Sequence, residues 1–206
     1  MMFSRKCYVN YILFCFILCL AACTTAPPDN ALNACQIFEQ YPNWYWAAKD
    51  SQDKWGVPVS VQLAIIFQES SFNANAKPPR GKLLWVIPWK RPTSAEGYTQ
   101  AIDETWDNYI RHSGNTSASR NNFKDATDFI GWYGYQAHRR AGVPRNNAYD
   151  LYLAYHEGIG GYAKGTYKNK KWLENIAHKV QVNSWRYDSQ LKTCASKFKK
   201  PWWHVW

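Results

Sequence analysis

Charged residues are few in this chain, and acidic residues are the scarcer kind. The 206 residues include 15 Asp and Glu against 25 Lys and Arg, which gives a formal net charge of +10. Charged residues make up 19% of the chain and hydrophobic residues 46%, and this balance excludes an intrinsically disordered protein. The length suits one domain with a single core. The excess of positive charge favours an anionic partner, which would be nucleic acid, a membrane surface or an acidic polymer.

Motifs for metals and phosphates are also missing. The five His residues do not occur in a ligand spacing such as His-Glu-x-x-His, and the sequence has no glycine-rich loop of the phosphate-binding kind. We therefore predict no metal ion and no other cofactor.

The N-terminus has the pattern of an export signal. Arg5 and Lys6 form a short cationic region, and the chain from Val9 to Ala22 is almost wholly apolar. This apolar run is too short to cross a bilayer comfortably but suits the hydrophobic region of a signal peptide. We therefore predict a signal peptide over residues 1–22, and export argues against nucleic acid as the anionic partner.

The end of the apolar run resembles a bacterial lipobox. Small residues, Ala21 and Ala22, precede Cys23 where the run stops, and in bacterial lipoproteins such a cysteine is lipidated. An ordinary secretory signal followed by an incidental cysteine is the alternative. The resemblance implies acyl chains on Cys23, and more than one chain is what stable membrane attachment requires. Thr24 rather than an aspartate follows, which by the same resemblance implies the outer membrane, facing the periplasm.

The six cysteines can all be accounted for on this interpretation. Three lie in the predicted signal peptide and Cys23 carries lipid, which leaves Cys35 and Cys194 near the two ends of the exported chain. In an oxidising compartment, two such cysteines most simply form a disulfide. Two free buried thiols are the alternative.

The rest of the chain is predicted to form one mainly α-helical domain. Residues 23–34 are polar with two prolines and are predicted to be a lipidated tether, and residues 35–206 to be the domain. Apolar residues at helical spacing predict helices over 42–55, 59–69, 99–112, 123–140, 147–155 and 171–190. Gly158, Gly160 and Gly161 are predicted to stop the fifth helix, and residues 82–90 could form a small hairpin.

A carboxylate at the end of an apolar predicted helix is the main candidate for chemistry. The helix over 59–69 runs into Gln68-Glu69-Ser70, so the Glu69 side chain is expected to be partly removed from water. Desolvation disfavours the charged form and raises the pKa of a carboxyl group. A carboxylic acid with a raised pKa can donate a proton to a leaving oxygen near neutral pH. A glutamate that points into water is the alternative.

The residues around Glu69 resemble the first motif of the soluble lytic transglycosylase (SLT) family, in which a helix runs into Glu-Ser-x-Phe-Asn. Here Glu69 and Ser70 are followed by Phe72 and Asn73. Two further family motifs occur in the same order: Gly-Leu-Met-Gln resembles residues 97–100 (GYTQ), and Ala-Tyr-Asn-x-Gly resembles residues 154–158 (AYHEG). The motifs span about half of the chain, and the resemblance implies a single lysozyme-like domain with irregular loops.

The resemblance also assigns roles to individual residues. In the family the glutamate is the only catalytic acid and base, which implies that role for Glu69. Ser70, Gln100 and Tyr155 are implied to line the cleft that binds the sugar chain. Tyr98 is a further candidate, because the flat face of an aromatic ring suits a sugar ring. The implied partners are peptidoglycan strands and, through the lipid, a membrane, and we expect a monomer.

The sequence departs from the family pattern at three places. The interval between the first two motifs is longer than we expect for the family, and Pro78-Pro79 stands about where the family often has a Ser-Pro pair that touches the N-acetyl sugar. His156 and Glu157 replace the asparagine and the residue after it in the third motif. Basic residues of the inserted stretch, 77–96, could attract the peptide carboxylates of peptidoglycan; a solvated basic loop is the alternative.

The reaction implied by the resemblance is cleavage of the β-1,4 bond between N-acetylmuramic acid (MurNAc) and N-acetylglucosamine (GlcNAc) in peptidoglycan. Glu69 would act as general acid and then as base, which leaves a 1,6-anhydro-MurNAc end. One alternative is a muramidase that hydrolyses the same bond and requires a second carboxylate. Glu157 is the candidate for that carboxylate, although a structural hydrogen bond is an equally good interpretation of this residue. A non-catalytic peptidoglycan-binding lipoprotein is the other alternative.

Overall fold

The computed structural model describes residues 25–79, 82–83, 87–88 and 93–198. They form seven α-helices: α1 (Ala34–Gln40), α2 (Pro42–Trp55), α3 (Val59–Ser70), α4 (Asp103–Ser113), α5 (Phe123–Ala141), α6 (Ala148–Ala163) and α7 (Lys171–Cys194). Two short 3-10 helices, Thr166–Asn169 and Ala195–Lys197, precede and follow α7. Two strands, β1 (Lys82–Leu83) and β2 (Ile87–Pro88), pair antiparallel as the hairpin within 82–90. The prediction of a mainly α-helical fold is confirmed.

Some sequence predictions lie outside the described residues. These are the signal peptide over 1–22, the lipidation site Cys23 and most of the stretch inserted between the first two motifs. Among the described residues, no helix is long and apolar enough to cross a membrane.

Helix α3 is the central helix of the core. Its residues from Val59 to Ile66 are all buried, and it packs chiefly against α7, with further contacts to α2, α5 and α6. A segment without Gly or Pro that is apolar on nearly all sides is typical of a helix surrounded by protein. Two polar residues, Ser60 and Gln62, are buried among the apolar residues of α3, and Gln62 Nε2 donates hydrogen bonds to the carbonyl oxygens of Ala48 (3.1 Å) and Val57 (2.8 Å).

Asparagine caps fix where α5 and α6 begin. The Asn122 side chain accepts hydrogen bonds from the backbone N–H groups of Lys124 and Asp125 at the start of α5. The Asn147 side chain accepts one from Asp150 at the start of α6. Asparagine is among the strongest N-cap residues because its side chain satisfies these otherwise unpaired donors. The beginnings of both helices were therefore predictable to within a residue.

The predicted helix over 99–112 begins later than expected, at Asp103. Gln100 has a left-handed backbone (φ 51), and Ala101 pairs with Glu96 in an isolated antiparallel bridge. Neither conformation is compatible with an α-helix, so residues 99 and 100 belong to a turn over 97–100 and Ala101 belongs to the bridge.

Helix α6 is interrupted at one of its glycines. Gly158 has non-helical backbone angles (φ 74, ψ 154), and a second helical segment follows it across this kink to Ala163. Glycine adopts such angles without steric strain, so a single residue can bend the helix while the following turn resumes. The predicted stop is confirmed at Gly158, whereas Gly160 and Gly161 lie in the helical segment that follows it.

A disulfide joins the first and last helices. Cys35 in α1 and Cys194 at the end of α7 form the bond that the cysteine count predicted. A hydrogen bond from the Ala34 backbone N–H to Gln190 Oε1 (2.8 Å) reinforces the same contact. The N-terminal helix is thus fixed to α7, which itself packs against α3.

The segment predicted as a tether, 23–34, contacts the domain from Ala26 onwards. The Tyr41 hydroxyl donates to the Ala26 carbonyl oxygen (2.9 Å), and the Tyr187 hydroxyl donates to the Ala31 carbonyl oxygen (2.5 Å). Pro28 is buried. The described part of this segment therefore lies along the domain surface, while its assignment as a tether stays a prediction.

Candidate active site

Glu69 lies in the last turn of α3, where the chain is held in an unusual conformation. The two residues that follow the helix, Ser71 (φ 50) and Phe72 (φ 63), both have left-handed backbones. Such angles are uncommon for residues other than glycine and cost about 1–3 kcal/mol each, so they persist only where the surroundings impose them. Here the fully buried Phe72 side chain anchors the turn. The helix end that carries Glu69 is therefore rigidly positioned.

The Glu69 carboxyl group has a pKa near neutrality. Its side chain is partly exposed, but most of its surroundings are protein, and this burial raises its pKa from the ordinary value of 4.5 to about 7. A hydrogen bond from the Tyr152 hydroxyl lowers the pKa and offsets part of that effect. Because desolvation outweighs the hydrogen bond, acid and carboxylate forms are both populated near pH 7. Such a group can donate a proton and take one back.

Two tyrosines of α6 face Glu69. Tyr152 hydrogen-bonds to the carboxyl group, and Tyr155 lies close enough for the Glu69 charge to raise the pKa of its hydroxyl. The two tyrosines are three residues apart and therefore share one face of the helix. Tyr133 of α5 supports this face, since its hydroxyl donates to the Ala154 carbonyl oxygen (2.7 Å) and its ring packs on Tyr155 with centroids 5.0 Å apart.

Tyr152 is a site residue that the sequence prediction missed. It belongs to none of the three motifs, and its partner lies on a different helix. The available signal was its position three residues before Tyr155, which placed both tyrosines on one side of α6.

The turn over residues 97–100 is held by backbone contacts that only glycine permits. Gly97 has a φ of 73, and a Cβ there would lie 2.2 Å from the Arg120 carbonyl oxygen. The Gln100 side chain closes the turn, because its Nε2 donates to the carbonyl oxygens of Ala76 (2.9 Å) and Gly97 (2.9 Å). The amide nitrogen of Gln100 is thus engaged by the backbone, which leaves its Oε1 as the atom available to a sugar.

The second and third motifs are joined directly. The Tyr155 hydroxyl donates to the Thr99 carbonyl oxygen (2.7 Å), so the turn over 97–100 is fixed to α6 beside Glu69. The structure therefore brings Glu69, Tyr155 and the Gln100 turn together from three separate parts of the chain.

The comparison with family models agrees with this assembly. Residues 11–194 match the model of the transglycosylase SLT domain. The chain belongs to the transglycosylase SLT domain family. The match covers most of the chain, so the family suggested by the three motifs and its mainly α-helical, lysozyme-like single domain are confirmed. At the level of the family, the SLT domain is a peptidoglycan lytic transglycosylase that binds peptidoglycan as its substrate. No curated protein and no solved structure matched the chain.

Two of the predicted sugar-binding residues of this SLT domain are engaged within the protein. The Ser70 hydroxyl donates to the Ile66 carbonyl oxygen of its own helix (3.1 Å). Tyr98 is 1% exposed, with its ring edge-on to Trp44 and Phe123 at centroid distances of 5.7 and 5.5 Å. A face so enclosed cannot stack on a sugar, so this position does not support the role predicted for Tyr98. Its ring instead completes an aromatic part of the core.

Glu157 of the SLT domain is tied to the segment that connects α6 to α7. Its carboxylate accepts hydrogen bonds from Lys170 Nζ (2.7 and 2.9 Å) and from the Thr166 hydroxyl. The Lys170 hydrogen bond is the main reason that the pKa of Glu157 is lowered from 4.5 to about 2. The carboxylate is 5% exposed because its partners cover it, but Lys170 itself is 41% exposed, so solvent screens the pair. This arrangement favours the structural interpretation of Glu157.

Replacing Glu157 by Gln is expected to lower the free energy of unfolding at pH 7 by about 1 kcal/mol, the scale of a partly screened ion pair. Because the folded-state pKa is depressed to about 2, the stabilisation is complete above the unfolded value of 4.5 and is lost as the pH falls toward 2. Urea unfolding at pH 7 and at about pH 3 measures the difference. Asp188→Asn, which removes an exposed pair with Lys192, is the control with a smaller expected effect. Unchanged stability together with lost turnover would instead give Glu157 a catalytic role.

Glu69 does not line the open cavities of about 540, 420 and 230 Å³ in the described part of the protein. The cavity of about 540 Å³ borders Thr25, Trp44 and Asn121, and the cavity of about 420 Å³ borders the kink of α6. Within residues 25–198 as described, no group of three or more His, Cys, Asp or Glu side chains could hold a metal ion.

Proposed function

We propose that this protein is a lytic transglycosylase that cleaves the β-1,4 bond between MurNAc and GlcNAc and leaves a 1,6-anhydro-MurNAc end. The single observation that carries the proposal is the Glu69 carboxyl group, with a pKa of about 7, at the end of a buried helix beside two tyrosines. The membership in the SLT family supports it at the level of the reaction class.

The reaction needs only one carboxyl group. Glu69 in its acid form donates a proton to the glycosidic oxygen, and the bond from that oxygen to C1 of MurNAc breaks as GlcNAc leaves. The carbonyl oxygen of the MurNAc N-acetyl group stabilises the positive charge that develops at C1. Glu69, now a carboxylate, takes the proton of the MurNAc 6-hydroxyl, whose oxygen forms a bond to C1. Glu69 ends in its acid form, and no water is consumed.

A pKa near neutrality suits both halves of this sequence, since proton transfer is most effective when the pKa of the catalyst lies near the working pH. The Tyr152 hydroxyl can hydrogen-bond to the carboxylate formed after the first step. Tyr152 thereby keeps the same group in position for the second proton transfer.

Hydrolysis of the same bond is less well supported. A muramidase of the usual kind requires a second carboxylate across the bond. Among the described residues, the influences on the pKa of Glu69 are burial and Tyr152, with no second carboxylate. Glu157, the candidate from the sequence, is bound to Lys170 and Thr166. A lyase is therefore the better proposal for this site.

The mass of the released product distinguishes lytic cleavage from hydrolysis. The full-length protein, purified in detergent, is incubated with peptidoglycan in water enriched in oxygen-18, and the released fragments are weighed by mass spectrometry. We expect anhydro ends that carry no label. Reducing ends that are one labelled water heavier would establish a muramidase. Binding without any product would establish a non-catalytic peptidoglycan-binding protein.

For the location we propose an outer-membrane lipoprotein facing the periplasm, with a signal peptide over 1–22 and lipid on Cys23. The lipobox-like sequence and the disulfide, which requires an oxidising compartment, support this proposal. The chain lies along the domain from Ala26 onwards, so only a few residues would separate the lipid from the folded domain. We propose that the protein acts there as a monomer.

A further inference from the structure

The cavity of about 420 Å³ lies between α4, α5 and the kink of α6. We call it the kink cavity. Side chains from α4 and α5 that can donate hydrogen bonds line it, among them Asn108, Arg111, Gln136 and Arg140. On the α6 side the wall is formed partly by Gly158 and Gly160, where no atom of a neighbouring residue lies within 4 Å of the position that a Cβ would take. That side of the cavity is therefore open.

The two arginines of the kink cavity stand out by their lack of partners. In the described part of the chain, the guanidinium groups of the other arginines donate to named acceptors: Arg120 to Asp103, Arg139 to Tyr135, Arg145 to Trp55 and Arg186 to Asn183. Arg111 and Arg140 form no hydrogen bond and no ion pair within the described residues. Both side chains are exposed and both line the same cavity, so their guanidinium groups are hydrated in the free protein and are available to a ligand.

A buried indole forms part of the cavity wall. Trp132 lines the kink cavity and is 3% exposed, and its indole N–H has no acceptor within the described residues. The nitrogen itself has almost no accessible surface, so a ligand in the cavity would lie against the indole ring and would reach the N–H only after a local shift. Such a shift would be favourable, because buried polar groups are nearly always paired.

The kink cavity is one aromatic layer away from the candidate acid. Tyr133 lines the cavity and packs against Tyr155, with ring centroids 5.0 Å apart. Tyr155 in turn lies near Glu69. A polymer held with its scissile bond at Glu69 would therefore place its neighbouring units within reach of the cavity.

The charge of the cavity favours an anion. Arg111 and Arg140 outnumber the one acidic residue of the lining, Glu104, which forms no ion pair with either in the described residues. Planar guanidinium groups bind carboxylates through two parallel hydrogen bonds. The cavity therefore suits a carboxylate rather than a neutral sugar.

We propose that the kink cavity binds a carboxylate of the acidic peptide stem carried by the MurNAc residues of peptidoglycan, and so selects stem-bearing strands over stem-free ones. The inference rests on the proposed function, because it names the form of peptidoglycan which that active site prefers. It assigns stem recognition to α4 and α5 and not to the basic stretch inserted between the first two motifs.

The test compares two substrates and two variants of the full-length protein in detergent. The substrates are peptidoglycan strands with their stems and the same strands after an amidase has removed the stems. For the wild type we expect a higher kcat/KM on stem-bearing strands. Arg111→Gln combined with Arg140→Gln is expected to reduce that preference about tenfold or more, the effect of losing charge-assisted hydrogen bonds, mainly through KM. Arg139→Gln, an exposed neighbour on α5 that does not line the cavity, should keep the preference of the wild type.

A titration tests whether the stem peptide binds in the kink cavity, and it does not depend on turnover. Stem peptide released by the amidase is added to the Glu69→Gln variant, and the indole N–H signal of Trp132, assigned with Trp132→Phe, is followed by NMR. A saturable shift that disappears when Arg111 and Arg140 are replaced supports the proposal. Equal kcat/KM on both substrates, or no shift, overturns it. Absence of product from the wild type on both substrates would overturn the proposed function instead, and the titration would still decide the cavity.

Discussion

The Glu69→Gln variant is expected to cleave peptidoglycan about a thousandfold more slowly than the wild type, in line with the contribution of a positioned general acid. The amide has the same shape and can still hydrogen-bond to Tyr152, but it can neither donate the proton to the glycosidic oxygen nor accept the one from the 6-hydroxyl. The measurement is the rate at which soluble anhydro fragments are released. Binding to insoluble peptidoglycan, measured in parallel, should be retained.

The dependence of the wild-type cleavage rate on pH should report the pKa of Glu69. In the proposed reaction only the acid form of Glu69 can begin the cleavage, and burial places the pKa of Glu69 at about 7. The rate should therefore fall about tenfold for each pH unit above 7. Glu39→Gln in α1, an exposed carboxylate, is the control and should leave rate and profile unchanged. A Glu69→Gln rate within tenfold of the wild type, or a fall centred near the ordinary carboxyl value of 4.5, would show that the proton comes from another group.

Local patterns predicted six of the seven described helices, because each of these buries an apolar stripe or begins at a capping side chain; the short helix α1 was not predicted. The bounds of α2 and α5 agree with their predictions to within a residue. Two of the errors, at the start of α4 and within α6, fall where the backbone leaves the usual regions. Gln100 adopts a left-handed conformation that its own residue type does not favour, and it does so because its side chain closes the 97–100 turn onto the backbone. Such a contact comes from the folded state and leaves no periodic signal.

The site could be predicted only in part for a similar reason. Glu69 was identifiable because its motif is local, and its raised pKa follows from lying at the end of a buried helix. Tyr152 was missed because its role depends on α6 meeting α3, which spacing along one helix cannot show. The burial of Tyr98 and the two unpartnered arginines of the kink cavity are also consequences of packing between helices. The sequence therefore identified the group that we propose transfers the proton, while the residues around that group could be identified only from the fold.

Removing the disulfide is expected to have the largest effect on stability. Cys35 and Cys194 are separated by 159 positions, so the bond closes a loop that contains most of the described domain. On the chain-entropy model, a loop of this size stabilises the folded state by about 5 kcal/mol through its constraint on the unfolded chain. We expect Cys35→Ser combined with Cys194→Ser to lose about that much free energy of unfolding, a large part of the stability of a typical domain.

Denaturant unfolding of the oxidised wild type, the reduced wild type and the double variant measures this effect. The reduced wild type should unfold at the same denaturant concentration as the double variant. The reductant should not change the stability of the double variant itself. The folded structure should persist at low denaturant, because Tyr187 and Gln190 still hold residues 31–34 through hydrogen bonds. A loss below about 1 kcal/mol would mean that the reduced unfolded chain is already compact. A loss of the expected size would make full stability depend on an oxidising compartment, which the proposed export to the periplasm provides.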